Sequence, residues 1–489
     1  MKYDFSTSLK DIGEVGFIER AMPSLAYVKG LPGAHTRELV VFESGEIGEV
    51  TGLEETGVEI MSFAHAPMSV GMRVARTNKV LEISLGVEML GAIIDPLGRS
   101  LDTSRPLVNM TDSRPIETIP SGINTRGRIK RRCTTGVALV DLLVPIGKGQ
   151  RELVMGDQKT GKSLFLMRAM ISQVKQGSVG IYAAIGKSQA TIKQVEYKLR
   201  EMGARDQIIV VASPSDSPAS TIYLTPYVAM TIAEYFRDKG RDVLIVLDDL
   251  STHAKVYREI ALLARRFPGR NAYPGDIFYT HARLVERAGN FKGPKGDVAI
   301  TCLPVIETNQ GDLGGYIQTN AMSMTDGHIF FDHDLFIAGR RPAIDPFLSV
   351  TRVGRQTQTL LQQQVGRIIV TFLRSAEKMH NFASFGAELN ERIKQALEKE
   401  EHVLQFLDQT VYDLIPEHLQ LFIFGVVWSG LWREKKRRDM QVSIQRMITA
   451  YETKPEIRTS LDTFIASCDS MDSLLAKIKT VSIPGLSIQ

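Results

Sequence analysis

Cysteine is scarce in this chain: three in 489 residues, Cys133, Cys302 and Cys468. They lie far apart and match no metal-ligand spacing, which points to reduced, structural thiols in a cytosol-like compartment. Long apolar runs are missing as well. The richest, Leu421 to Trp432, is too short and too interrupted to span a bilayer and reads as a buried helix. The opening residues, Met1-Lys2-Tyr3-Asp4-Phe5-Ser6, lack the apolar core of a signal peptide. Any membrane link is therefore expected to run through partners. Charge of one sign is also lacking. The net charge of +4 is small for this length and argues against a broad nucleic-acid footprint. The basic run Lys435-Lys436-Arg437-Arg438 reads as a solvated helix face. Neither an internal repeat nor a low-complexity tract is present. What remains is an ordinary globular composition, 43% hydrophobic and 23% charged, long enough for roughly two to four domains.

The pattern changes twice along the chain. Residues 1–78 read as short strands punctuated by glycine, such as Glu38 to Glu43 and Gly57 to Phe63, and predict a small N-terminal β-barrel. Residues 79–357 alternate apolar strand-like runs with helical stretches. The runs are Glu152 to Met155, Val179 to Ala184, Gln207 to Val211, Val243 to Leu247 and Val298 to Pro304. That alternation predicts a mostly parallel sheet covered by helices, a central α/β domain. Residues 358–489 turn helical, with Leu389, Ile393, Ala396 and Leu397 at helical spacing.

The most specific motif is Gly156-Asp157-Gln158-Lys159-Thr160-Gly161-Lys162-Ser163, which fits G-x-x-x-x-G-K-[ST]. Glycines let the backbone curl so that its N–H groups point at phosphate oxygens. Lys162 adds a point charge near the β- and γ-phosphates, and Ser163 offers a hydroxyl to Mg²⁺. Leu153-Val154-Met155 reads as a buried strand before the loop and Leu164 to Met170 as a helix after it, whose N-terminus would face the anion. The central domain is thus a P-loop, RecA-like nucleotide domain that binds a nucleoside triphosphate. A second acid for Mg²⁺ is expected at the end of a buried strand, and Val243-Leu244-Ile245-Val246-Leu247-Asp248-Asp249 supplies Asp248. Hydrolysis further needs a group to polarise water, commonly a carboxylate on the loop after the next strand. That loop reads Ile185-Gly186-Lys187-Ser188-Gln189 and holds none. A protonated lysine is no base, though it can hold a phosphate, so the chemistry points to binding with poor hydrolysis.

Beyond these motifs the chain resembles the α subunits of F-type ATP synthases over nearly its whole length. Leu143 to Leu153, Asp248-Asp249-Leu250-Ser251, Arg265 to Asp276, Leu303 to Thr308 and Arg341-Pro342-Ala343-Ile344 all look like segments of that family. The resemblance implies a barrel, a nucleotide domain and a helical domain. It implies three α and three catalytic β subunits alternating in a ring around a central-stalk γ subunit. It implies a peripheral stalk, an indirect link to a membrane ion-translocating sector, and no nucleic acid. The complex would sit peripherally on the cytoplasmic face of an energy-coupling membrane, or its matrix or stromal equivalent. The α site would bind Mg-ATP or ADP without turning it over. Arg352, in Pro346 to Gly354, matches the arginine that reaches into the β site, and Ser349 a position needed for activity. A planar guanidinium suits that task because it bridges phosphoryl oxygens.

The family's adenine pocket carries over to Arg341, Pro342 and Gln409, while Val411 replaces a second glutamine and can neither donate nor accept. Lys187 stands where the family has glutamine, Gln158-Lys159 replaces Arg-Gln, and Ser163 replaces threonine. The family's extra N-terminal helix, which docks the peripheral stalk, is expected to be missing because the chain starts close to the barrel, so that either stalk attachment differs here or the sequence begins after a removed segment. Two catalytic alternatives share the central domain. A Rho-type hexameric RNA helicase needs an RNA-binding barrel with exposed aromatics and basic residues. An export-type ATPase, like the helicase, needs a catalytic carboxylate.

Overall fold

The N-terminal strands are short and largely apolar, and the sheet they build closes on itself. The computed structural model describes residues 4–102, 105–384, 391–410 and 413–480. Six antiparallel strands form a closed barrel in the order β1-β2-β5-β4-β3-β6. They are β1 (Val15–Met22), β2 (Leu25–Lys29), β3 (Glu38–Phe42), β4 (Ile47–Glu54), β5 (Gly57–Ser62) and β6 (Arg73–Val80). Ile18, Val28, Val40, Phe42, Val50, Ile60 and Val74 fill the interior. Closure removes sheet edges that would otherwise pair with other chains. A helix that the strand pattern did not announce, α1 (Phe5–Ile12), precedes β1. Asp4 caps it by accepting from the Thr7 N–H at 2.8 Å, and Phe5 packs on Val41 and Ala75 of the barrel.

The chain forms two compact units, each built from separate stretches. One comprises Met1–Gly127, Gly177–Glu307 and Leu313–Met324; the other comprises Arg128–Gln176, Thr308–Asp312 and Thr325–Gln489. In the first, β7 (Glu82–Leu85) pairs with β9 (Asp112–Pro115). A parallel sheet runs β17 (Val298–Glu307), β15 (Val243–Asp248), β13 (Val179–Lys187), β14 (Ile208–Pro214) and β8 (Ile93–Ile94). β16 (Gly289–Phe291) adds antiparallel to β17. Helices α4 (Gln189–Glu201), α5 (Ala219–Asp238), α6 (Leu250–Leu263), α7 (Ile277–Val285) and α8 (Tyr316–Met324) belong to this unit. Strands buried on both faces explain the near-continuous apolar runs in the sequence. Four of them run further than those runs: β13 reaches Lys187, β14 reaches Pro214, β15 reaches Asp248 and β17 reaches Glu307.

The barrel joins this sheet through polar contacts. Arg266 lies 3.2 Å from Glu59, and Arg37 lies 2.6 Å from Glu117. Between them is a cavity of about 220 Å³ lined by Arg37, Glu49, Glu117, Tyr223, Tyr257 and Arg266 among others.

In the second unit, β10 (Arg132–Cys133) pairs with β11 (Ile146–Gly147). β12 (Glu152–Gly156) runs parallel to β18 (Gly327–Phe331), which pairs antiparallel with β19 (Val350–Thr351). Around them lie α2 (Ala138–Leu143), α3 (Lys162–Lys175), α9 (His333–Ile337) and the C-terminal helices. These are α10 (Leu360–Ser384), α11 (Glu391–Leu407), α12 (Glu417–Trp428), α13 (Arg437–Thr453), α14 (Pro455–Ala466) and α15 (Met471–Ile478). The apolar segment expected to be a buried helix is α12, buried from Leu419 to Val427. Ile393, Ala396 and Leu397 fall on α11, while Leu389 lies outside the described residues. Lys436, Arg437 and Arg438 are exposed at the head of α13. The three cysteines are buried and in no disulfide. Among the described residues no helix is long and apolar enough to cross a membrane. The architecture is therefore an N-terminal barrel, a central α/β nucleotide-binding domain and a C-terminal helical region.

Candidate nucleotide site

The P-loop leaves β12 at Gly156 and enters α3 at Lys162. Gly156 has φ +149°, and a Cβ there would come within 2.4 Å of the Phe331 carbonyl oxygen. Gly161 has φ +100° with nothing within 4 Å of a Cβ, so its glycine answers to conformation alone. No side chain caps the N-terminus of α3. Its first N–H groups and the positive end of its dipole thus suit an anion. The Lys162 ammonium donates to the carbonyls of Gly156 at 2.7 Å and Asp157 at 2.5 Å, which holds it inside the loop. Gln158, Lys159 and Ser163 are exposed, and Thr160 is buried and donates to the Asp157 carbonyl at 2.7 Å.

Asp157 anchors the loop, a role no local pattern announced. Its carboxylate accepts from the Thr308 hydroxyl at 2.5 Å and the Gly311 N–H at 3.0 Å. The Thr308 N–H in turn donates to the Gly156 carbonyl at 3.1 Å. Burial works against ionisation of Asp157, but the hydrogen bonds from Thr308 and Gly311 outweigh it and hold the carboxyl below its ordinary value.

In the first unit, Lys187 and Asp248 end the adjacent parallel strands β13 and β15. Lys187 is a strand residue, not the loop residue its sequence context predicts. Its ammonium lies 2.8 Å from Asp248 Oδ1 and 2.8 Å from Asp249 Oδ2. The Tyr182 hydroxyl donates to Asp248 Oδ2. Asp249 caps α6, its Oδ1 accepting from the Thr252 N–H at 2.6 Å. Burial alone would lower the Lys187 pKa; the two aspartates more than reverse this and raise it, so the group stays cationic. Lys187 therefore cannot accept a proton from water.

The residues expected to hold Mg²⁺ fit it unequally. The Ser163 hydroxyl is exposed at the head of α3. Asp248, by contrast, has one oxygen on an ammonium and the other on a phenol, so it does not fit the role of a metal's acidic partner. Among the described residues no group of three or more His, Cys, Asp or Glu could hold a metal.

Back in the second unit, Arg341 and Gln409 come together, as the Gln409 N–H donates to the Arg341 carbonyl at 2.7 Å. The Arg341 guanidinium stacks 3.7 Å over the Phe336 ring, and Pro342 follows it. The Gln409 side chain is 3% exposed. Its oxygen accepts from the Ala138 N–H at 2.6 Å, and its nitrogen donates to the carbonyls of Gly136 at 2.9 Å and Asp413 at 3.1 Å. Its amide thus braces the backbone. Val411 lies outside the described residues.

Arg352 follows β19 and is exposed. Its guanidinium donates to the Thr325 carbonyl at 3.2 Å and, among the described residues, makes no ion pair. The charge of Arg352 is felt by buried Glu152, whose carboxyl burial pushes well above the ordinary range. Ser349 shapes the approach to Arg352. Its hydroxyl donates to the Asp345 carbonyl at 2.6 Å and accepts from the Phe330 N–H at 3.0 Å, tying the loop to β18.

Comparison with known proteins agrees with this geometry. The profile of the ATP synthase alpha/beta family, nucleotide-binding domain, matches residues 136–351. The chain is 39% identical over 426 residues to ATP synthase subunit alpha of Staphylococcus aureus strain bovine RF122 / ET3-1, covering 87% of this chain and 84% of that protein. The subunits alpha of strains JH9 and Mu50 match at the same identity and coverage. An intact P-loop and this similarity along most of both sequences lead to one conclusion: the chain belongs to the ATP synthase α-subunit family.

Proposed function

We propose that this chain is the nucleotide-binding, non-catalytic α subunit of a rotary F-type ATP synthase. It binds ATP or ADP on the P-loop, Gly156 to Ser163, with Arg341 and Pro342 near the base. It lends Arg352, positioned by Ser349, to the catalytic site of an adjacent β subunit. Three such chains alternate with three β subunits around a γ stalk. A peripheral stalk links the ring to a membrane sector that moves protons or sodium ions, and the ring sits on the cytoplasmic face or its matrix or stromal equivalent. Two features of Arg352 support its part: it is exposed, and among the described residues it makes no ion pair.

The observation that carries the non-catalytic reading is the Lys187 ammonium, gripped at 2.8 Å by both Asp248 and Asp249. It stands in the sequence where a hydrolysing site needs a base, and a cation cannot activate water. The test is steady-state ATPase of the purified chain beside equilibrium ATP binding. Binding without measurable turnover is expected, and Lys162→Ala should abolish the binding. Turnover in the range of about 1–100 s⁻¹ usual for phosphoryl transfer, lost in Lys162→Ala, would overturn the assignment.

A further inference from the structure

We propose that Glu152 is a positioning residue for Arg352: its buried carboxyl, acting through the Gln150 amide and the Thr351 hydroxyl, fixes the turn that carries the arginine. The proposal rests on the reading of Arg352 given above, and every group in it belongs to the second unit.

Three strands set these residues side by side. Glu152 opens β12 and pairs with Gly327 of β18; Gly327 pairs in turn with Thr351 of β19, the residue before Arg352. A Cβ at 327 would lie 2.3 Å from the Val350 carbonyl oxygen and 2.7 and 2.9 Å from the two oxygens of Glu152. The Glu152 head thus occupies the space a side chain at 327 would take, against the backbone of β19. Glu152 Oε2 accepts from Gln150 Nε2 at 2.6 Å, and the same nitrogen donates to Thr351 Oγ1 at 3.3 Å. The Thr351 hydroxyl donates to the Pro145 carbonyl at 2.9 Å and accepts from the Gly354 N–H at 3.0 Å. These bonds bracket Arg352 in the chain, from Thr351 before it to Gly354 after it. The Arg352 N–H itself donates to the Asp326 carbonyl at 3.0 Å, and the Arg151 guanidinium holds the Asp326 carboxylate at 2.7 Å.

The charge state suits the task. Glu152 is fully buried, and its Oε1 has no hydrogen-bond partner among the described residues. An ionised carboxylate with an unmet buried oxygen is costlier than a neutral acid, which has an O–H to offer the Val350 carbonyl. Burial foremost pushes the carboxyl well above its ordinary range, and Asp326 adds to this; the Gln150 hydrogen bond and the charge of Arg352 oppose it without prevailing. A neutral Glu152 braces the turn without neutralising the guanidinium, whose charge stays available to a neighbour's phosphoryl group.

The experiment measures single-turnover ATP hydrolysis by the reconstituted complex, beside ATP binding by the full chain. Glu152→Ala should lower turnover about 10–100-fold, the cost of a misplaced group, and leave ATP binding unchanged. Glu152→Gln, a neutral head of the same shape, should restore turnover to within about threefold of wild type. Because Glu152 acts through Arg352, the double variant Glu152→Ala/Arg352→Ala should be no slower than Arg352→Ala alone. Additive losses overturn the proposal, as does Glu152→Gln turning over as slowly as Glu152→Ala or failing to fold. Loss of ATP binding in Glu152→Ala also overturns it, since Glu152 would then serve β12 and the P-loop instead. Should Glu152→Ala fail to fold, Thr351→Val cuts the same chain of bonds at β19, and the same loss and non-additivity are required of it. A collapse in Arg352→Ala with wild-type turnover in Glu152→Ala removes this proposal alone. Wild-type turnover in Arg352→Ala removes the reading of Arg352 and this proposal together.

Discussion

Gly156 and Gly161 share a motif but not a physical reason. A methyl group at 156 collides with the Phe331 backbone at 2.4 Å, whereas at 161 it enters open space and only φ +100° resists it. Gly161→Ala should therefore cost about 1–2 kcal/mol of unfolding free energy, the strain of a non-glycine residue at that φ. Gly156→Ala should cost clearly more, because Phe331 on the paired strand β18 must move. Urea unfolding of the two variants checks the order, and equal losses would contradict it. The sequence pattern announces both glycines together. It is silent on Asp157, whose partners Thr308 and Gly311 lie about 150 positions away. It shows Lys187 as an anomaly without showing why the residue is held there. The two aspartates reach it only because β13 and β15 run parallel in one register, pairing Ala184 with Asp248.

At the scale of elements, the strands of the central sheet were legible because burial on both faces leaves unbroken apolar runs. Their ends were not, since Lys187, Pro214 and Glu307 are unlike the residues before them. The barrel was legible from short runs of β-formers and glycine turns, but helix α1 was not. A short helix held by one cap and one buried phenylalanine leaves little periodicity to read. Strand β4 carries Glu49 into the polar cavity beside Glu117 and Arg37. Burial foremost, then the charge of Glu117, push the Glu49 carboxyl up to about 8, against a partial offset from Arg37. In the unfolded chain Glu49 ionises near the ordinary glutamate value of 4.5, while in the folded barrel it stays protonated until about pH 8. The folded state thus holds the extra proton in that window, and stability contributed by the group is lost as pH rises through it. Glu49→Gln should recover on the order of 1–2 kcal/mol at pH 7.5 and little at pH 4.5. Thermal unfolding at the two pH values measures this, and a gain independent of pH would contradict it.

At the scale of the whole molecule, a linear reading assigns contiguous blocks, whereas the compact units are woven from separate stretches of chain. Only long-range pairing reveals that segments 128–176, 308–312 and 325–489 belong together. The same scale governs function. An exposed arginine that makes no ion pair among the described residues is of little use to its own chain, so the proposed role of Arg352 exists only in an assembly. In the reconstituted complex, Arg352→Ala should leave nucleotide binding nearly unchanged and lower turnover by about 10³–10⁵. Arg352→Lys should restore little, because one ammonium cannot bridge two phosphoryl oxygens. Single-turnover hydrolysis is the measurement, and near-wild-type rates in Arg352→Ala would remove Arg352 from the partner's site.

The grip of Asp157 on Thr308 and Gly311 has one more consequence. A loop already in its final shape has nothing to order when a ligand arrives. Fixing a backbone residue costs about 1–2 kcal/mol, and in this cradle folding has met that cost in advance. For the proposed nucleotide, association then waits on diffusion and desolvation and not on ordering of this loop. On the proposed reading such a cradle would act as a passive gauge, filled or empty according to the nucleotide concentration around it.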